Sequence, residues 1–259
     1  IHLSPTQKGV IYIGAQFLFR SADRGESWQK ISPDLTTNDP KRQRQQESGG
    51  LTRDNSTAEN NTTIFAISES PKNGAVIWVG TDDGNLQVTR DGGKTWANVA
   101  AATGVPKGTW VSRVEASPHD EAVAFATFDR HMTGDMNTYV VKTTDFGKTW
   151  TSLSTADTKG YAHVVKQDAV NPNLLFLGTE TGLFLSIDGG KQWAQFTSGL
   201  PMTPVRDLVV HPRDHDLVLA THGRGIYVVD DITPLRALTA EILNSDFAFL
   251  PTRPGQLLI

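Results

Sequence analysis

One eight-residue pattern, Ser/Thr-x-Asp-x-Gly-x-x-Trp, limits what this chain can fold into more than any other feature. It occurs four times, at residues 21–28, 89–96, 143–150 and 186–193. Each copy follows a short apolar run, such as Gly182-Leu183-Phe184-Leu185 before the last. The residue types suit a tight turn joining two antiparallel strands. The aspartate accepts from backbone amides a few residues on, and glycine takes the positive φ the turn demands. The Ser or Thr hydroxyl adds a bond across the turn, and the tryptophan opens the next strand with a large apolar ring. Asp23, Asp91, Asp145 and Asp188 are therefore assigned to structure, together with Trp28, Trp96, Trp150 and Trp193. A carboxylate committed to amide groups is poorly free for chemistry.

Between these boxes the same elements recur. An alternating strand comes first, as in Val205-Arg206-Asp207-Leu208-Val209-Val210, then a polar turn, then a nearly continuous apolar strand such as Leu174-Leu175-Phe176-Leu177-Gly178. A third strand leads into the box and a fourth leaves it. Continuous apolar runs suit strands buried on both faces, as in the middle of stacked sheets. A four-stranded unit repeated every 40–50 residues or so is the mark of a β-propeller. A β-sandwich would not place one turn at the same point of each unit. The expected blades span about 1–35, 60–100, 109–156, 160–200 and 203–235, and residues 236–259 form a tail or a linker to a further domain. The fifth unit lacks a box and reads as a terminal repeat. Five blades could close alone, or a larger ring could have its remaining blades upstream.

With 259 residues, 38% hydrophobic and 20% charged, the chain matches an ordinary globular protein with a sizeable core. A net charge of −4 argues against a general nucleic-acid binder. No apolar run is long enough for a membrane helix. The absence of cysteine removes disulfides, thiolate catalysis and Cys-based zinc sites. No Gly-x-Ser-x-Gly elbow and no phosphate-cradling glycine loop is present, so no cofactor is expected. His211-Pro212-Arg213-Asp214-His215 occupies a turn that is Ser-Pro in sibling units, so it reads as exposed turn and no metal is expected.

Two insertions interrupt the repeat. Residues 33–62 are polar, carry the basic run Lys41-Arg42-Gln43-Arg44, which reads as solvated, and hold Asn-x-Ser/Thr triplets beginning at Asn55, Asn60 and Asn61. Residues 129–137 join the second and third strands of the third unit. In the tail, residues 238–243 form an expected short helix.

The four boxes resemble the Asp-box, or BNR, repeat of sialidases, oligoxyloglucan hydrolases, sortilin-type receptors and photosystem II assembly factors. Ser32-Pro33-Asp34-Leu35-Thr36-Thr37-Asn38-Asp39-Pro40, Gly80-Thr81-Asp82-Asp83-Gly84-Asn85 and Thr221-His222-Gly223-Arg224-Gly225-Ile226-Tyr227 extend the resemblance. They are similar to the C-terminal part of the propeller region in a bacterial glycosyl hydrolase BNR-repeat or sortilin-like group. That resemblance implies an extracellular or periplasmic protein whose ligand binds on the face opposite the boxes. One fold carries many functions, so it speaks to family more than to activity.

Aligning the repeats places Gln16, Asp82, Phe128, Glu180 and His222 at equivalent points of that opposite face. Asp83, Asp129, Arg130, His131 and Arg224 are neighbours. Side chains that differ at one repeat position suit a binding surface, or else ordinary exposed turns. A glycosidase needs two carboxylates, one with a raised pKa, and Asp82 or Asp83 with Glu180 is the best pair. No sialidase-like arginine triad with a Tyr/Glu pair is placed on the repeats. The favoured expectation is a non-catalytic module that binds a peptide, protein partner or carbohydrate. Arg113, Arg206 and Arg224 would take a carboxylate or else form strand-edge salt bridges, and Trp110 and Phe128 would offer aromatic platforms. Further blades or an oligomer are expected partners.

Overall fold

The computed structural model describes residues 1–44, 47 and 61–255. Among them, four four-stranded antiparallel sheets and one three-stranded sheet follow one another, each a simple meander. Blade 1 contains His2–Leu3, Ile11–Gly14, Leu18–Ser21 and Gln29–Lys30. Blade 2 contains Ile64–Ser70, Asn73–Thr81, Leu86–Thr89 and Ala97–Asn98. Blade 3 contains Trp110–Ala116, Ala124–Asp129, Tyr139–Thr143 and Thr151–Ser152. Blade 4 contains Ala162–Gln167, Leu175–Thr179, Gly182–Ser186 and Ala194–Phe196. Blade 5 has Val205–Val210, Leu217–Thr221 and Ile226–Val229. Its missing fourth strand departs from the four-stranded unit expected, and the reason is local. With no box after Val229, the chain enters the helix Thr233–Arg236 instead of turning back.

The sheets stack side by side as propeller blades, with the first strands of blades 2 to 5 packed on one another and blade 1 meeting blade 2 through its second strand. The second strands lie between neighbours, which is why their apolar runs are continuous: Trp78, Phe125 and Phe176 are all fully buried. Blades approach so closely that glycine is required at some contacts. A Cβ on Gly80 would lie 2.4 Å from Val111 Cγ1, and one on Gly178 would lie 2.6 Å from the Val205 carbonyl oxygen.

The boxes fold as their residues dictate. In the first, Ser21 Oγ donates to Asp23 Oδ1 at 2.7 Å, and the Ser27 amide donates to the same oxygen at 2.9 Å. Thr95, Thr149 and Gln192 donate their amides in the same way to Asp91, Asp145 and Asp188. The bonds from Ser27 and Thr95 hold the Asp23 and Asp91 carboxyls down to about 2. Two successive residues adopt positive φ in every box, which turns the chain back between paired strands. The first of the two is Arg24 or Phe146 in two copies, and the second is always glycine.

Two expectations about the tryptophans need correction. The fourth strands begin one residue after the ring, at Gln29, Ala97, Thr151 and Ala194. The rings are also unequally buried: Trp193 is 5% exposed, Trp96 and Trp150 are half-buried, and Trp28 is 41% exposed. The cause is the preceding blade. Trp193 Nε1 donates to the Leu153 carbonyl of blade 3, Trp96 Nε1 reaches Ile31 of blade 1, and Trp150 lies edge-on to Trp78 of blade 2. Trp28 reaches only the carbonyl of Gly25 in its own box, since no blade precedes it among the described residues.

Residues 41–44 are exposed, as the solvated reading requires, and the triplets at Asn55 and Asn60 lie outside the described residues. The tail holds a second short helix, Ala240–Leu243, whose Ile242 amide donates to the Thr239 hydroxyl. No helix among the described residues is long and apolar enough to cross a membrane.

Candidate functional site

Every box joins a third strand to a fourth, so the turns between second and third strands gather at the other end of the blades. There, Asp82, Glu180 and His222 donate their backbone amides, each at 3.0 Å, to Thr63, Tyr161 and Pro204. These three positions are thus structurally equivalent. Gln16 is exposed in the matching turn of blade 1, and its carbonyl accepts from the Leu35 amide at 3.0 Å.

Blade 3 departs from the alignment. Its ladder shifts register between Thr127 and Phe128 and runs on to pair Asp129 with Trp110. Phe128 is consequently core, 2% exposed, and the expectation of an aromatic platform there is corrected. Trp110 stands edge-on to Phe65 at 4.6 Å, and Phe65 is 55% exposed. Phe65 was not anticipated from the sequence, because alternation on a first strand does not reveal which face a neighbour leaves open.

Blades 3, 4 and 5 assemble one connected polar and aromatic cluster. His163, on the first strand of blade 4, is buried, with Nε2 3.0 Å from Glu180 and Nδ1 3.3 Å from Arg206 Nη1. An arginine only donates, so Nδ1 accepts and Nε2–H donates to Glu180, which fixes a neutral imidazole in one tautomer. Arg206 Nη2 lies 3.6 Å from the same Glu180 oxygen, and Tyr161 helps to hold this carboxylate charged. The Tyr161 ring stacks on His131 at 4.6 Å, and His131 Nδ1 lies 2.7 Å from Asp129. Beside the cluster, Arg113 of blade 3 pairs with Asp207 of blade 5 across the first strand of blade 4. Arg130 holds Asp135 at 3.2 Å and donates to Thr109. His222 and Arg224 are exposed in the turn of blade 5.

Asp82 and Asp83 stand apart from this cluster, on blade 2. Asp82 accepts from the amide and hydroxyl of Thr63. Asp83 is 1% exposed; it accepts from the Thr37 amide and hydroxyl and from Thr81, pinning the segment that follows blade 1. The groups touching Glu180 come from blades 4 and 5.

The electrostatics follow from these contacts. Burial opposes charge on Glu180, but the bonds from His163 and Tyr161 and the charge of Arg206 outweigh it, so its pKa is lowered. Burial lowers the pKa of His163. Burial raises that of Asp82, against its bonds to Thr63. Because the folded state depresses His163, the unfolded chain takes up this proton first. The associated stability is complete above the ordinary histidine value of about 6.5 and is lost as pH falls through the folded value. Thermal melts between pH 7 and pH 5 should therefore show a falling Tm. His163→Gln should flatten the part of that fall above pH 5; an identical slope in the variant would remove His163 as its source.

Sequence reasoning located Glu180, Arg206, His131 and Arg113 but passed over Tyr161, His163 and Asp207. Tyr161 could have been found, since the residue before each first strand pairs with the end of the second. No family model and no curated protein matches the chain. Solved structures do. The GH74 xyloglucanase from Xanthomonas campestris superposes with a TM-score of 0.62, over 87% of this chain and 35% of that one, at 22% identity. The GH74 enzyme of Niastella koreensis gives 0.60 over 88% of this chain and 35% of its own, at 14% identity. The COPII coat assembled on membranes gives 0.60 over 87% and 31%, at 13% identity. The chain spans about a third of the length of each. At such identities the likeness establishes the β-propeller fold, and it links hydrolases and a coat alike to that fold.

Proposed function

We propose that this chain is a binding module of the Asp-box propeller type, taking a peptide, protein partner or glycan at the end of the blades away from the boxes. The observation that carries this reading is the cluster of Tyr161, His163, Glu180 and Arg206 with His131. It is buried at its root and charged at its surface, with the Arg206 side chain 42% and that of Glu180 34% exposed. Fixed donors and acceptors over a packed base favour recognition with little ordering cost. Exposed Phe65 and half-buried Trp110 add an aromatic surface of the kind that sugar rings and peptide side chains favour. The polar capture surface includes Gln16, Arg113, Arg130, His222 and Arg224. The resemblance of the boxes supports an extracellular or periplasmic setting. The uncovered faces of blades 1 and 5 suit further blades or a second subunit.

A second reading, glycoside hydrolysis, rests on the opposite shifts of Asp82 and Glu180. One pKa is raised and the other lowered, and a hydrolase would further need the two carboxyls to flank a single bond, whereas Asp82 stands on blade 2 and Glu180 on blade 4. One set of measurements separates the two. Immobilised chain is screened against glycan and peptide arrays and against a panel of sugar-release substrates. The binding reading expects capture that weakens on the order of tenfold in Arg206→Ala, with Arg113→Ala and Arg224→Ala also weaker and their melting unchanged. Capture unaffected by all three variants would remove this surface. Sugar release that disappears in Asp82→Asn or Glu180→Gln would replace the binding reading by the enzymatic one.

A further inference from the structure

The wall that blade 1 turns towards blade 2 is unlike its counterparts. Strand registers set one residue from each strand in a row across a blade. In blade 2 the row is Ser68, Trp78, Val88 and Ala97, and in blade 4 it is Lys166, Phe176, Leu185 and Ala194. Blade 3 is mixed, with Glu115, Phe125, Lys142 and Thr151. In blade 1 the same row reads His2, Tyr12, Arg20 and Gln29. Every side chain in it ends in a hydrogen-bonding group, on a face that elsewhere has an apolar centre.

A cleft of about 690 Å³ opens over this row, between blades 1 and 2 and beside the second box. That is the size of small-molecule sites, about 300–1,000 Å³. Its opposite wall includes Ala75, Ile77 and the Gly92-Gly93-Lys94 turn. Gly92 helps to keep it open. The third box has Phe146 at this position, a ring that packs against the core of blade 2 and takes Arg90 over its face at 3.9 Å. At Gly92 a Cβ would meet nothing within 4 Å.

The charge of the cleft is one-sided. Its lining includes Arg20, Lys30 and Lys94 and no Asp or Glu, in a chain where acids outnumber bases 28 to 24. Lys30 is turned over the Phe17 ring at 4.6 Å, which leaves Arg20 and Lys94 as the direct cations. Arg20 is steadied by Gln7, to whose Oε1 it donates at 2.7 Å. Tyr12 is 2% exposed, and burial, then the nearby Glu69, push its hydroxyl up to about 12, so it stays protonated at any physiological pH. Of Glu69, the nearby carboxylate, Oε1 is taken up by Ser4 and Thr6, while Oε2 is buried without a partner among the described residues.

We propose that this cleft binds an acidic sugar residue, a hydroxylated ring bearing a carboxylate, with the carboxylate between Arg20 and Lys94. The planar fork of arginine matches a carboxylate, and lysine adds charge at the rim. Tyr12, Gln7 and Gln29 offer the mixed donors and acceptors that ring hydroxyls need, and Ala75 and Ile77 cover the C–H face. The site lies by the boxes and shares no residue with the cluster of blades 3–5, so either can fail alone.

Calorimetric titration of the whole chain with D-glucuronate, D-glucose and D-glucose 6-phosphate, at two salt concentrations, tests this. Glucuronate should bind on the order of tenfold or more tighter than glucose, and more weakly at high salt. Arg20→Met should abolish that preference with the protein still folded by its melting curve. Lys94→Ala, an exposed change, should weaken glucuronate about threefold, a loss typical of an exposed ion pair. Glucuronate binding no tighter than glucose, or binding untouched by both variants, would overturn the proposal. Glucose 6-phosphate bound in its place would overturn the carboxylate assignment.

Discussion

Replacing Trp193 by Ala should cost about 3–5 kcal/mol of stability, the usual loss for a large buried aromatic, whereas Trp28→Ala should cost under about 1 kcal/mol. The two residues hold the same place in the same motif, so local sequence offers no ground for a difference. The distinction lies in the neighbouring blade. Trp193 packs in a cluster with Phe125, Val140, Leu153 and Phe184, and its indole N–H is satisfied across the blade boundary by the Leu153 carbonyl at 2.9 Å. Removing it leaves a cavity among side chains of two blades and an acceptor without its donor. Trp28 folds back on its own turn and leaves two-fifths of its surface to solvent. Urea denaturation of both variants gives the comparison directly. Equal losses would mean that the rings do not draw their stability from the preceding blade.

Arg236→Ala should be comparably damaging, costing about 3–5 kcal/mol as expected when one partner leaves a buried ion pair. Asp168 is fully buried in the turn after the first strand of blade 4. Its Oδ2 accepts from the Val170 amide at 3.0 Å, the Asn171 amide at 2.7 Å and Arg236 Nε at 3.0 Å. Its Oδ1 accepts from Arg236 Nη2 at 2.8 Å, completing a two-point fork. Asn171 Nδ2 then donates to the Arg236 carbonyl, so the helix after blade 5 is fastened back onto blade 4. Arg236→Lys should recover only a minor part, because an ammonium cannot make both bonds in that geometry. Limited proteolysis should release the segment after residue 232 faster in Arg236→Ala. A denaturation midpoint shifted by less than the equivalent of about 1 kcal/mol would show the carboxylate to be satisfied by amides and water instead.

The cluster at the far end of the blades was half legible. Glu180 could be found by aligning repeats, because equivalent turn positions follow from the strand–turn–strand period, and Arg206 from its place on an innermost strand. His163 could not, since its role depends on meeting Arg206 from the next blade, 43 residues on. Phe128 shows the converse. The repeat put it in a turn, but a single register shift beside Thr127 carried it into the core, with Asp129 beyond it buried as well. Alternation and turn chemistry do not specify where such a shift occurs. The fastening of the tail by Asp168 and Arg236 was equally hidden, because an Asp in one turn and an Arg in one helix carry no mark of being partners.

The sequence alone determined the boxes, their aspartates, the apolar central strands and hence the bladed architecture. All of these rest on bonds closed within two to four residues or on side-chain alternation along one strand, which the order of residues states directly. The packing of blades set which box tryptophan is core, which polar residues share a cluster, and that a polar row of blade 1 faces blade 2 beside the apolar contacts of Val10, Leu18, Ile77 and Val79. Those depend on surfaces brought together from segments separated by up to 94 residues, as for Arg113 and Asp207. Blade stacking, a cooperative packing event, sets that proximity, and no local stretch of chain encodes it by itself.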